Sequence, residues 1–174
     1  NYDDALMELS QLLTADGFSC VAGGAFVGEH SFSRTLGAGR PSGADVGEMD
    51  AFAEHVAAKL VAGDTAPVTV GGCDPIRPYY TPRDRHGDSI NILKVKPKTD
   101  MTKCGGCGLC AARCPMGSID PADVSRVNGV CIKCGACVKG CPTGAKYFDD
   151  PGYLYHKSEL EEIYARPAKN EVFL

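Results

Sequence analysis

The sequence contains no run of about 18 apolar residues, the length that a membrane-spanning helix requires. Its first residues do not combine a charged stretch with an apolar one, so we predict neither a signal peptide nor a membrane span. Lysine and arginine form no long block, which argues against a nucleic-acid partner. These absences predict a cytoplasmic protein.

The composition is that of a globular chain with one ordinary domain or two small ones, because 44% of its 174 residues are apolar. The net charge of -4 conceals an uneven distribution along the chain. Counting Lys and Arg against Asp and Glu gives -7 for residues 1–65 and +4 for residues 101–148. Eight of the ten cysteines lie in this basic region, and cytosolic thiols are kept reduced, so we expect metal or redox chemistry rather than disulfides.

The segment at 1–65 is predicted to form a helix, a strand and a second helix. Leucines at helical spacing predict an amphipathic helix over residues 3–16, and the continuous apolar run "FSCVAGGAFV" at 18–27 predicts a strand buried on both faces. A second helix is predicted over residues 45–62, with Ser42 and Asp45 forming a capping box at its start.

A single strand cannot form a sheet, so this segment needs a partner. One interpretation is that it is the C-terminal part of a longer α/β domain whose earlier strands lie upstream. The other is a small α+β unit in which the strand pairs with a second subunit or with "INILKV" at 90–95, which we predict to be a short strand. A proline-rich linker precedes "INILKV", and "SELEEIYAR" at 158–166 predicts a terminal helix.

An internal repeat dominates the second half of the chain. "CGGCGLCAARCPMG" at 104–117 is followed by "CIKCGACVKGCPTG" at 131–144, and every cysteine of the first copy recurs at the same offset in the second. Both copies have the spacing C-x2-C-x2-C-x3-C-P, which is an iron–sulfur signature of the bacterial type. Three cysteines at this interval can surround one corner of a cube, and the glycines between them permit the tight path. Zinc needs only four ligands and has no use for a third cysteine at the same interval.

These motifs resemble the bacterial dicluster ferredoxins over residues 99–148. The resemblance implies an α+β ferredoxin-like domain that holds two 4Fe-4S clusters, with each fourth cysteine ligating the cluster of the other motif. It assigns one cluster to Cys104, Cys107, Cys110 and Cys141. It assigns the other to Cys131, Cys134, Cys137 and Cys114. It also implies that the chain transfers electrons between redox partner proteins and has no catalytic residues of its own.

The first segment carries a second resemblance. "NYDDALMELSQLLTADGF", "GAFVGEHSFS" and "AGRP" are similar to the C-terminal half of the flavodoxin-like domain in flavodoxin–ferredoxin fusion proteins, the EFR-type ferredoxins. The phosphate-binding loop of that family and its aromatic-glycine flavin loop would lie upstream of Asn1, so FMN is expected only with that upstream half. The alternative function is therefore the iron–sulfur part of an FMN-dependent oxidoreductase.

Together these patterns predict four segments. They are an incomplete flavodoxin-like α/β segment at 1–65, a proline-rich linker at 66–98, the dicluster domain at 99–148 and a tail with a short helix at 149–174. Five basic residues of the cysteine region either offset cluster charge or form a solvated face: Lys103, Arg113, Lys133, Lys139 and Lys146.

Several other residues are considered as sites but have ordinary explanations. Cys20 is predicted to be a core residue and Cys73 a loop thiol outside any ligand spacing. His30 follows a strand, where α/β proteins place their sites, but no partner is visible for it. The ferredoxin analogy places Tyr147 beside a cluster, or else in the core. The remaining candidates are His55, His86, His156 and the loop "GAGRPSG", which could bind an anion or be an ordinary loop.

Overall fold

A computed structural model describes residues 2–174 as a mixture of helices and small antiparallel sheets. The helices are α1 (Ala5–Ala15), α2 (Gly43–Val61), α3 (Leu109–Ala112), α4 (Ala136–Lys139) and α5 (Pro151–Ile163). The strands are β1 (Gly23–Ala25), β2 (Lys98–Thr99), β3 (Lys146–Tyr147) and β4 (Glu171–Phe173). Within residues 2–174, no helix combines the length and the apolar character needed to cross a bilayer.

The chain divides into two compact units. The first unit contains residues 2–29, 37–80 and 166–174, and the second contains residues 30–36 and 81–165. Residues 30–36 belong to the cysteine-rich unit rather than to the unit that contains the segments on either side of them.

Both helices predicted for the first unit are confirmed. After α1, the chain reverses at Gly17, whose φ of +87° is accessible to glycine at little cost. The predicted capping box of α2 is also present. The Asp45 N–H donates to Ser42 Oγ at 3.3 Å, and the Ser42 N–H donates back to the Asp45 carboxylate at 2.5 Å.

The strand predicted over residues 18–27 is much shorter than expected. Only Gly23–Ala25 forms β1, which is half-buried and pairs antiparallel with β4. Phe18, at the start of the predicted strand, is 63% exposed. A long buried strand requires hydrogen-bonding neighbours along its length, and β1 has only a three-residue partner.

The strand predicted over residues 90–95 is wrong, and so is its pairing with β1. The Asn91 side chain accepts a hydrogen bond from the Leu93 N–H at 3.1 Å, and the Val95 N–H donates to the Ile92 carbonyl at 3.1 Å. These local bonds fold the segment into turns, which compete with strand pairing.

The second unit is built around the cysteine repeat. Strands β2 and β3 pair with Lys98 opposite Tyr147, helix α3 contacts α4, and the core includes Ile119, Ala145 and Tyr153. The predicted terminal helix is present as α5, but it starts at Pro151, earlier than predicted. Its start is fixed by Asp150, whose carboxylate accepts a hydrogen bond from the Tyr153 N–H at 2.9 Å.

Candidate metal centre

The two cysteine loops share the same local structure. Helices α3 and α4 begin at equivalent positions of the repeat, Leu109 and Ala136. Each is preceded by a glycine in the left-handed region, Gly108 at φ +70° and Gly135 at φ +73°. A side chain at either position would be strained, so glycine here lets each loop turn directly into its helix.

The eight cysteines of the repeat line two separate cavities, four in each. One cavity has about 330 Å³ of space unfilled by protein atoms, and its cysteines are Cys104, Cys107, Cys110 and Cys141. The other has about 380 Å³, and its cysteines are Cys131, Cys134, Cys137 and Cys114. Both volumes include space that is open to solvent. Each cavity thus takes three cysteines from one loop and the fourth from the other.

Backbone donors surround the fourth cysteine of each motif. Burial alone raises the pKa of both thiols, because it removes water from the thiolate. In Cys114 this effect is outweighed by the N–H groups of the following turn, of which Ser118 N lies 3.4 Å from Sγ, and the pKa falls. In Cys141 the Thr143 hydroxyl and the backbone N–H groups that follow lower the pKa to about 7. Both turns therefore favour the thiolate, the form that binds metals.

Cys137 lies in a different environment from its partners. It is buried, and desolvation raises the pKa of its thiol to about 11 despite the opposing charge of Lys146. Without a bound cation this thiol stays protonated at neutral pH. A metal that replaces the proton would supply the positive charge that the site lacks.

The predicted cationic residues are not equivalent. Lys146 is only 2% exposed, lines the first cavity and donates from Nζ to the Val124 carbonyl at 2.5 Å. By contrast, Lys103 pairs with Asp100 at 3.0 Å on the surface. Lys133 Nζ donates to the carbonyls of Leu93 and Cys131 at 3.0 and 2.9 Å. Of these three lysines, Lys146 is therefore the one whose ammonium group is buried beside the first cavity.

The arrangement of the thiols fits a cluster better than a single ion. A zinc ion bound at about 2.3 Å to each of four sulfurs brings those sulfurs within about 4 Å of one another. Among the described residues, no three His, Cys, Asp or Glu side chains come together closely enough to hold one metal ion. Four thiols spaced around a larger cavity instead match the donor set of an iron–sulfur cube.

The other candidate residues lie outside these cavities. Cys20 is half-buried, with Sγ 3.9 Å from the Ser10 carbonyl, and Cys73 is an exposed loop thiol. His30 Nδ1 accepts from the Phe32 N–H at 3.3 Å. His55 and His86 are exposed, His156 is buried in α5, Tyr147 lies in β3, and Arg40 of the "GAGRPSG" loop pairs with Asp45.

The sequence reasoning missed an aromatic wall of the second cavity. Phe148 lines that cavity, and its ring stacks on Tyr153 at a centroid distance of 4.2 Å. Tyr153 in turn contacts Phe32 at 4.7 Å. These residues lie outside the cysteine motif, and the only available signal was the aromatic character of the residues that follow it.

Comparison with known proteins gives one match. Residues 103–146 match the family model of the 4Fe-4S dicluster domain, which spans both cysteine loops. No curated protein and no solved structure matches the chain. The chain therefore contains a ferredoxin-like iron–sulfur domain.

Proposed function

We propose that this domain holds two 4Fe-4S clusters and relays single electrons between redox partner proteins. In this proposal the first centre has as ligands Cys104, Cys107, Cys110 and Cys141. The second centre has as ligands Cys131, Cys134, Cys137 and Cys114. The observation that carries the proposal is the division of the eight thiols between two cavities, three from one loop and one from the other.

The surrounding residues suit this role. A bound cluster would supply a site that takes up and releases one electron without touching a substrate. The N–H groups of the turns after Cys114 and Cys141 stabilise thiolate charge. Ile119 and Phe148 give the second cavity apolar walls, and Lys146 provides positive charge at the first.

Anaerobic reconstitution tests the number and kind of clusters. We expect about eight irons and eight acid-labile sulfides per chain, since each 4Fe-4S cube contains four of each. Visible absorbance that dithionite bleaches should accompany them. A product with tightly bound zinc and no labile sulfide would rule the proposal out.

The exchange of the fourth cysteines needs its own experiment. Cys114→Ser should free the thiols of Cys131, Cys134 and Cys137 to alkylation and leave the other set protected. Mass spectrometry of the alkylated peptides identifies which thiols react. If Cys104, Cys107 and Cys110 become reactive instead, each loop supplies all four ligands of its own centre.

A second candidate is the iron–sulfur part of an FMN-dependent oxidoreductase, with residues 1–65 as the C-terminal part of a flavodoxin-like domain. It is supported by the order α1, β1, α2 and by the exposed apolar residues of the first unit. No residue of α1 is buried, and Leu9, Leu12 and Phe18 are exposed. FMN fluorescence quenching, measured on this chain and on the product of its complete reading frame, tests the idea. It fails if neither protein binds FMN.

A further inference from the structure

An apolar cluster surrounds the opening of the second cavity. Met116, Val130 and Ile132 are 48%, 69% and 53% exposed, and all three line this cavity together with Cys131 and Cys134. We call these three side chains the apolar mouth. Exposed aliphatic side chains grouped in this way mark an interaction surface more often than isolated ones do.

Among the described residues, the first cavity has one exposed large aliphatic side chain in its lining, Leu109 at 38%, rather than a group of three, although its loop has the same backbone. At the equivalent positions of the repeat, Lys103 stands for Val130, Gly105 for Ile132 and Thr143 for Met116. Since both loops have to fold around the same kind of centre, folding alone does not require aliphatic residues here. The difference between the copies therefore points to a use of the second opening that the first does not share.

Lysines flank the apolar mouth, and acidic residues are absent from the same stretches. Residues 91–98 contain Lys94, Lys96 and Lys98, and residues 127–134 contain Lys133, with no Asp or Glu in either range. Lys98 is neutralised by Asp149 at 2.8 Å, whereas Lys94 and Lys96 are exposed. The bond from Lys133 Nζ to the Leu93 carbonyl ties the 91–98 segment to the cysteine loop.

We propose that the apolar mouth is the docking surface for an acidic redox protein whose own cofactor edge is surrounded by apolar side chains. Electrons enter or leave the chain there, through the second centre. This inference rests on the proposed two-cluster function. An apolar centre with a charged rim is the usual arrangement of a specific interface. The lysines steer an acidic partner into place, and the aliphatic side chains exclude water between the two cofactors.

The test measures one-electron transfer to a probe protein by anaerobic stopped flow. The probe is an acidic FMN-containing flavodoxin. One electron moves from the reduced iron–sulfur domain to the flavin, which takes up one proton from solvent. Methyl viologen, a small cation that needs no docking surface, reports separately that the centres are intact and active.

The variants form a matched pair. Ile132→Glu places an acidic group in the apolar mouth. Met101→Glu places the same group on the surface beside the first loop, at a side chain that is 59% exposed and lines neither cavity. We expect Ile132→Glu to slow the second-order reaction with flavodoxin by about tenfold at low salt, and Met101→Glu to change it little. Lys94→Glu should act like Ile132→Glu without touching the cavity, which covers the case in which Ile132→Glu fails to fold.

Each other outcome overturns the proposal. If Met101→Glu slows the reaction as much as Ile132→Glu does, docking is not confined to the second centre. If neither Ile132→Glu nor Lys94→Glu slows it, the apolar mouth is not the docking surface. If the wild type reacts with methyl viologen but not with flavodoxin, the partner is not an acidic protein of this kind. A wild type without eight irons would instead refute the proposed function.

Discussion

Replacing Gly135 by alanine should damage the second cysteine loop selectively. Gly135 precedes α4, and the segment at residues 30–36 packs directly against it. A Cβ at Gly135 would lie 2.3 Å from the Ser31 carbonyl oxygen. The segment is also tied to α4 by Arg34, which donates to the Val138 carbonyl at 3.1 Å, and by Lys139, which donates to the His30 carbonyl at 2.5 Å.

Gly108 supplies a control with the same backbone. Both glycines have φ near +70°, so alanine costs about 1–2 kcal/mol of backbone strain at either position. At Gly108 a Cβ meets nothing within 4 Å, whereas at Gly135 the backbone of Ser31 has to move. Overpacking of this kind adds about 1–3 kcal/mol. Relative to the same loop in the wild type, Gly135→Ala should therefore increase opening of the second loop by a factor about 5- to 150-fold larger than the factor by which Gly108→Ala increases opening of the first loop.

The assay follows anaerobic iron release to a chelator, combined with alkylation mapping of the freed cysteines. In Gly135→Ala, we expect half of the iron to leave faster and Cys131, Cys134 and Cys137 to react first. In Gly108→Ala, iron release from the first loop should increase only as much as the backbone strain of about 1–2 kcal/mol predicts. Equal acceleration in the two variants would show that the contact with Ser31 does not hold the second loop, and the reasoning would be refuted.

Two further predictions concern the first unit. Asp4 accepts hydrogen bonds from the Arg77 side chain, and these bonds lower the pKa of the Asp4 carboxyl group. The ionised Asp4 therefore stabilises the folded state above the ordinary pKa range of a carboxyl group, and this stabilisation is lost as the pH falls below that range. Hydrogen exchange of the α1 amides should therefore be faster in Asp4→Asn than in wild type at pH 7, and the difference should shrink toward pH 3; a constant difference would contradict the linkage. Ser42→Ala removes the cap of α2 and should lower the free energy of unfolding by about 1 kcal/mol, which lowers Tm by about 2–4 °C. The control Ser10→Ala, within α1, should change Tm little. An unchanged Tm in Ser42→Ala would show that the cap does not contribute to stability.

Local signals in the sequence predicted the helices and the cysteine loops well. The start of α2 depends on Ser42 and Asp45, which lie three residues apart, and the paired loops follow from cysteine spacing alone. These features are encoded within a few residues, so tertiary packing does not alter them.

Most of the errors concern interactions between distant residues. The strand predicted over 18–27 depends on partners that the sequence does not identify, and β1 pairs with β4 at the far end of the chain. Likewise, nothing in the sequence of residues 30–36 indicates that they pack against Gly135. The remaining error is local. At 90–95 the Leu93 N–H donates to the Asn91 side chain and the Val95 N–H donates to the Ile92 carbonyl, and these bonds override the apolar pattern.

The two loops also differ in the polarity around their thiols, which bears on the order of electron transfer. The second cavity has apolar walls that include Ile119, Val127 and Phe148. The first also has apolar walls, which include Leu109 and Val124, and the second also contains the Ser118 hydroxyl group. The clear difference is the ammonium group of Lys146, which lines only the first cavity. Positive and polar groups favour the added negative charge of a reduced centre, so we expect the first centre to have the higher reduction potential. An electron that enters through the second centre would then pass to the first.

Lys146→Met tests this expectation, because it removes the buried charge and keeps much of the side-chain volume. A charge in a partly buried site contributes about 1–2 kcal/mol to the reduced state, and one electron converts about 1.4 kcal/mol to about 59 mV. The potential of the first centre should therefore fall by roughly 40–85 mV in an EPR-monitored redox titration. The potential of the second centre should also fall, because the charge of Lys146 acts on Cys137 as well. Lys103→Met removes a surface charge already paired with Asp100 and should shift neither by more than a small fraction of this. If Lys146→Met leaves both potentials unchanged, its ammonium group only anchors the Val124 carbonyl, and the two centres differ for other reasons.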